Sequence, residues 1–301
     1  MSPSLRLGLA AGLSAYTLWG VLPLYIKFLD HLPPMEILAH RIVWSLPAGL
    51  LFVALAGRWN DLKAALTPAR LRYLGLSALA IGTNWFLYIW AVSEARVMEA
   101  SLGYYINPLV NVLIGAVLLR ERLRKAQWAA VALAAVGVAI MTQAFGRFPW
   151  IAIVLCMSFA SYGLIRKRVL VDGRAGFAVE AALLFPVAAG GLVLHAAFGG
   201  GRLFGTGGTD IPLLMLAGPF TALPLILFAL AAKRLMFATI GMMQYIAPTL
   251  QFGFALAFGE PFSTTHAVAF CFIWAALALF SADSVWGSHK ARRLARAARV
   301  A

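Results

Sequence analysis

EASLGYYINPLVNVLIGAVLLRE, residues Glu99–Glu121, is an apolar run of helix length with Tyr104, Tyr105, Asn107, Pro108 and Asn111 set inside it. The pattern returns 140 positions later. Tyr105-Ile106-Asn107-Pro108 lies over Tyr245-Ile246-Ala247-Pro248, and the same shift carries Tyr104 onto Gln244 and Asn111 onto Gln251. A fixed offset shared by an aromatic, a proline and two polar positions is the mark of an internal duplication.

Composition supplies the solvent in which that duplication works. Hydrophobic residues make up 62% of the 301 and charged residues 12%, with a mean hydropathy of +0.85; a soluble domain carries about a quarter charged residues, so this is a membrane protein. Runs long enough to cross about 30 Å of hydrocarbon fall near 5–28, 35–56, 71–92, 98–119, 126–145, 149–166, 178–199, 212–232, 238–258 and 264–284. The expected fold is an all-α integral membrane protein of ten transmembrane helices. Cys156 and Cys271 lie in apolar runs without paired spacing, which indicates neither a disulfide framework nor a metal site; both read as core residues.

Cationic residues orient the chain, because cytoplasmic loops hold an excess of them. With the N-terminus inside, the cytoplasmic segments carry 20 of the 25 Lys and Arg, including Arg166 and Lys167, while the outer loops keep Arg96, Arg147 and Arg202 and the spans hold Lys27 and Arg41. Both termini are then cytoplasmic. The net charge of +14 follows from topology, so no nucleic-acid partner is called for. The expected partners are the lipid bilayer, a small-molecule substrate and, as an open alternative, a second copy in a homodimer.

Five spans per repeat is an odd number, so the second copy enters the membrane from the opposite side. The expected division is 1–146 for the first five-helix repeat, 147–285 for the second, inverted one, and 286–301 for a basic cytoplasmic tail. Inverted repeats are a recurrent plan of secondary transporters, which hold substrate near the midplane. The first and sixth spans match through Trp19-Gly20 and Tyr162-Gly163; the second and seventh match Pro47 with Pro186, a register that sets Arg41 opposite Glu180.

The blocks AYTLWGVLPLYIKFL, EILAHRIVWS, GTNWFLYIWAV, MEASLGYYINPLVN, SYGLIRK and QYIAPTLQF resemble the RarD-type branch of the EamA family in the drug/metabolite transporter superfamily, from about Gly12 to Asp283. The resemblance implies a bacterial inner-membrane protein of two inverted five-helix repeats whose spans 1–4 and 6–9 surround a central cavity. It implies no substrate. The branch takes its name from a proposed link to chloramphenicol, and other EamA relatives are similar to exporters of amino acids and small metabolites.

Polar residues inside spans are the mechanistic signal, since each costs about 2.5–3.5 kcal/mol at the bilayer centre when unpaired. Glu36, His40, Trp44 and Pro47 share one face of the second span with Arg41 beside it, and Gly103, Tyr104, Asn107 and Asn111 share a face of the fourth. Gln244, Pro248 and Gln251 share a face of the ninth. With Tyr16, Trp19, Lys27, Asn84, Trp85, Tyr162 and Glu180 they form the candidate substrate cavity, whose aromatics suit an organic molecule with an apolar portion. Each has a structural alternative. Asn107, Asn111, Gln244 and Gln251 also serve as interhelical hydrogen-bond glue, Lys27 as a snorkelling residue and Glu36 as a partner of a helix N-terminus. Arg41 sits too deep for that and reads as an anchor for a substrate anion or one half of a pair with Glu180 or Glu36. Pro108 and Pro248 read as kinks that double as hinges. Glu36, His40, Glu99 and Glu180 are the groups available for proton coupling.

Neither HExxH nor GxSxG is present, and the histidines are scattered, which argues against an enzyme. No phosphate-cradling glycine loop with its lysine is found. No cofactor or metal is expected. The expectation is a secondary transporter, an exporter of a small organic metabolite, amino-acid-like compound or drug by alternating access; the alternative is a facilitative channel or a non-transport membrane scaffold.

Overall fold

The computed structural model describes residues 2–94, 96–146, 148–198, 208–257 and 264–297. Arg147, Arg202, Arg299 and residues 199–207 of the Gly-rich connection lie outside them. The elements are α1 (Pro3–Ile26), α2 (Pro34–Leu55), α3 (Trp59–Ala65), α4 (Pro68–Ser93), α5 (Val97–Val117), α6 (Lys125–Phe145), α7 (Trp150–Arg168), α8 (Gly173–Phe198), α9 (Asp210–Ala232), α10 (Phe237–Gln244), α11 (Ile246–Ala257) and α12 (Thr264–Ala297). No strand occurs among the described residues.

Prolines set where three long helices begin. Pro3, Pro34 and Pro68 open α1, α2 and α4 at first-turn positions, where the missing N–H would have had no helical partner. α1 is further capped by Ser2, which accepts from the Leu5 N–H at 3.2 Å. Gly146, at φ 72°, ends α6 in the left-handed conformation that spares a Cβ clash.

Nine helices among the described residues are long and apolar enough to cross a membrane. The tenth expected span, 238–258, is a pair of shorter helices meeting at Tyr245. Pro248 has no N–H to give the Gln244 carbonyl, and the ladder breaks there. Its sequence mate Pro108 is absorbed inside an unbroken α5, so the two prolines expected to act alike differ. α12 runs on through Ala297, so helix extends into the 286–301 stretch. Val187, Leu194 and Phe198 on α8 and Leu79 on α4 stay exposed, an outward apolar surface of the kind that lipid covers. Cys156 is buried as expected, whereas Cys271 is exposed on α12, because its side of that helix turns away from the packing against α6.

Contacts define two faces of the bundle. At the terminal face, where the chain begins, Gly8 packs on Arg234, Arg124 pairs with Asp283 at 2.7 Å, and Ala65, Leu74, Val169, Val171 and Ala175 form one cluster. At the opposite face, Tyr25 donates to the Leu213 carbonyl at 2.7 Å and His31 meets Asp210 at 3.0 Å. α2 packs on α8, α5 on α10 and α6 on α12, while α1 on α9 is matched by α7 on α4. Those pairings are consistent with two inverted repeats.

Candidate substrate cavity

A cavity of about 760 Å³ opens between α1, α2, α4, α5, α6, α11 and α12. Its lining residues sit in the halves of those helices nearer the face opposite the termini. Toward the terminal face it stops at an aromatic floor. Trp19 of α1 meets Phe159 of α7 at 5.7 Å between ring centroids, and Phe228 of α9 lies 5.9 Å from Trp19, 5.4 Å from Phe159 and 5.8 Å from Tyr162. Tyr16 closes the cluster, 5.5 Å from Trp19. Rings in tilted, edge-on and stacked contact fill a bundle centre densely and add about 0.5–1.5 kcal/mol per pair beyond their burial.

Below the floor lies a polar clasp at the terminal face. Glu121, just past the end of α5, accepts hydrogen bonds from the Phe237 and Ala238 N–H groups at 2.6 and 3.0 Å, the first two residues of α10. A carboxylate there meets orphan donors and the positive end of the helix dipole. Lys167 at the end of α7 stands 3.8 Å from Glu121 and donates to the Ala232 carbonyl at 3.0 Å and to that of Leu235. The clasp thus joins α5 and α7 to the α9–α10 turn.

Of the residues expected in the cavity, Tyr16, Trp19, Arg41, Asn84, Trp85, Tyr104, Gln244, Gln251 and the hinge candidate Pro248 line it. Asn84 also donates to the Leu155 carbonyl at 2.8 Å and Gln251 to that of Trp19 at 3.1 Å, so both are fixed at the wall. Arg41, 9% exposed, donates from Nε to Thr221 Oγ1 at 3.2 Å and lies with its guanidinium 5.6 Å from the Trp85 ring centroid.

The others are elsewhere, each for a packing reason. Asn111 donates to Gln244 Oε1 at 2.9 Å, a hydrogen bond tying α5 to α10. Asn107 is buried beside it without reaching the lining, and Pro108 is occupied by α10, whose Gly241 abuts the Pro108 carbonyl. Trp44 is pressed on α9, where a Cβ at Gly218 would stand 2.1 Å from the Trp44 carbonyl. Glu36 and His40 are buried in the α2 packing. Lys27 is exposed in the 3-10 turn after α1, and Tyr162 lies under the floor.

The Arg41–Glu180 pair is not formed. Glu180 is held in the terminal half of the bundle by Arg166, Nη1 to Oε1 at 3.3 Å, and by the Ser77 hydroxyl at 2.6 Å. Arg166, counted from sequence as a topological charge, is fully buried and donates from Nη2 to the Gly173 carbonyl at 3.0 Å. Glu99 is likewise engaged: Arg96 donates to it at 2.7 Å and so does the Ile151 N–H at 3.0 Å, near the start of α7.

Tyr88, Phe159, Thr221, Phe228 and Glu121 were not singled out from sequence. Two of them carried a usable signal: the 143-residue shift that lays Trp19 on Tyr162 also lays Tyr16 on Phe159 and Trp85 on Phe228. Thr221 and Glu121 carried none, since their partners lie 180 and 116 positions away.

An apolar helical bundle around a closed-bottomed cavity defines the class, a multi-pass membrane transporter, and the relatives agree. Residues 6–143 match the EamA-like transporter family. The chain is 42% identical over 284 residues to Protein RarD of Escherichia coli (strain K12), covering 93% of this chain and 96% of that one. It is 45% identical over 292 residues to an uncharacterized transporter of Pseudomonas aeruginosa, covering 95% and 96%. A further relative in that species, 32% identical over 92% of this chain and 94% of its own, is named Chloramphenicol-sensitive protein RarD. A chain titled "Crystal structure of protein" shares the fold, with a TM-score of 0.69 at 22% identity over 91% of this chain and 96% of that one. The protein belongs to the RarD-type branch of the EamA-like transporter family.

Proposed function

We propose that the protein is a secondary transporter that exports a small organic molecule across the bacterial inner membrane by alternating access, with both termini in the cytoplasm. The observation that carries this reading is the cavity of about 760 Å³ that ends on an aromatic floor and a polar clasp. On this topology the terminal face is cytoplasmic, so the structure corresponds to the state open to the outside. The floor and clasp form the inner gate. Moving substrate then requires α10 and the end of α7 to part from Glu121 while the outer mouth between α1, α5 and α11 closes. The two inverted repeats, divided near residue 146, supply the rocking elements.

Size supports an organic substrate, since pockets of roughly 300–1,000 Å³ hold drug-sized ligands. A blocked floor favours a carrier over a continuous pore. The test is flux in proteoliposomes loaded with candidate metabolites and antibiotics. A carrier saturates and shows counterflow when unlabelled solute is trapped inside; non-saturating flux without counterflow would overturn alternating access in favour of a channel.

A further inference from the structure

Taking the cavity as the transport site, as proposed above, we infer that the transported molecule is an amphipathic organic monoanion, a carboxylate with an aromatic or branched apolar body, and that Arg41 holds its carboxylate. The charge inventory of the wall leads there. Among the described residues the lining includes no Asp, Glu or Lys; Arg41 is the one permanently charged group among them, with His266 the other residue able to take up a proton. Arg41 is more than nine-tenths buried yet forms no ion pair among the described residues, and its one hydrogen bond runs from Nε to Thr221.

That arrangement fixes the side chain and leaves its binding edge open. Thr221 occupies Nε and the guanidinium carbon stands over the Trp85 ring, so the side chain is positioned before any ligand arrives. Nη1 and Nη2 have no protein partner among the described residues. Both nitrogens are left open at the cavity wall, where a carboxylate meets them at once in the two-point geometry for which the planar fork is suited. One cation neutralises one charge, which selects a monoanion over a phosphate dianion. Beyond Arg41 the wall carries a few neutral polar groups, Asn84, Gln244 and Gln251 among them, but most of it is ring and alkyl surface, including Trp19, Phe159 and Phe270, the complement of an apolar body.

This class also gives the transport a driving force. Among the described residues no lining acid is available to carry a proton with the substrate. The loaded site is electrically neutral and the empty one positive, so an inside-negative potential drives the empty carrier back toward the cytoplasm and the anion outward.

The test uses purified protein in proteoliposomes and matched probe sets: aromatic and branched-chain monocarboxylates, with the corresponding primary amides and amines. Saturable counterflow of the carboxylates is expected, without that of the amides, and faster efflux is expected under an inside-negative potassium diffusion potential. Arg41→Gln should lower carboxylate affinity by about 10- to 100-fold, the loss of a charge-assisted hydrogen-bonding partner. Arg41→Lys keeps the charge without the fork; a smaller loss with the preference for acid over amide retained is expected, and this variant carries the test if Arg41→Gln is not inserted. Counterflow of amines or amides instead of acids overturns the substrate class while leaving the carrier in place, as does carboxylate flux indifferent to both Arg41 variants. Absence of counterflow for all three sets overturns the carrier reading itself.

Discussion

Removal of Glu180 strands Arg166, a fully buried charge. The Arg166 and Glu180 side chains are 0% and 3% exposed and lie 3.3 Å apart, and Arg166 sits so close under α8 that a Cβ at Gly176 would overlap its Nη1. Glu180→Ala leaves Arg166 with the Gly173 carbonyl and no counter-charge, which typically costs about 3–5 kcal/mol. Ser77→Ala deletes one hydrogen bond to the same carboxylate and is expected to cost about 1.5–3 kcal/mol. The double replacement Arg166→Met with Glu180→Leu removes both charges and is expected to be close to neutral, because desolvation of the pair offsets much of its attraction. Buried Cys156 reports the unfolding: in a Cys271→Ser background, a thiol-reactive dye follows its exposure as detergent-solubilised protein is heated. The expected order of midpoints is wild type and double variant highest, then Ser77→Ala, then Glu180→Ala. Glu180→Ala melting with or above Ser77→Ala would refute the assignment of a buried ion pair.

Glu121→Gln should loosen the inner gate by removing the charge from the α10 N-terminus and from Lys167, at about 0.5–2 kcal/mol for the cap; a cysteine at Phe159 should then label from the cytoplasmic side, and unchanged protection would dismiss the clasp as a gate. Cysteines at Tyr104 and Gln251 should react with small water-soluble reagents from the outside and one at Asn111 should not; equal labelling of Asn111 would contradict its role as an α5–α10 tie. Gly218→Ala should fail to accumulate, since its methyl meets the Trp44 carbonyl at 2.1 Å, whereas Gly75→Ala, with nothing within 4 Å, should be silent. Tags at Ser2 and at the C-terminus should both report cytoplasm and one in the 199–207 connection the outside; a C-terminus reporting outside would overturn the topology.

What was legible in the sequence was what periodicity and composition encode. The spans were visible because each long apolar run must cover about 30 Å by itself, and the repeat because Tyr-Ile-x-Pro returns at one offset. Arg41, Trp19 and Gln251 were found because polar and aromatic residues inside a span need an inward face. Partners were not legible. Nothing local tells Glu180 that Arg166, and not Arg41, will meet it, because the choice depends on how α7 and α8 cross. Repeat symmetry misled at that point: equivalent positions 41 and 180 sit on packed helices α2 and α8, but in different halves of the bundle. The clasp was hidden for a related reason, since Glu121 reads as one more loop charge until α10 arrives above it.

The unequal prolines turn a duplicated sequence into a record of state. α5 passes Pro108 unbroken while its mate breaks at Tyr245 before Pro248, and the hydroxyl of Tyr245 reaches across to the carbonyl of its own equivalent, Tyr105, at 3.2 Å. In a two-state machine made of inverted copies, the opposite state follows when each copy takes up the shape of the other. The break should then migrate: α10 and α11 fuse into one straight rod as the substrate-side gate reverses, and α5 acquires the joint at Tyr105. Amide hydrogen exchange reads it directly, with protection at Ile246 and Ala247, the first amides after the joint, rising and protection at their mates Ile106 and Asn107 falling when the protein is trapped inward. Joint and rod retained in place in both states would mean that the two copies, though alike in sequence, have taken fixed and different mechanical parts.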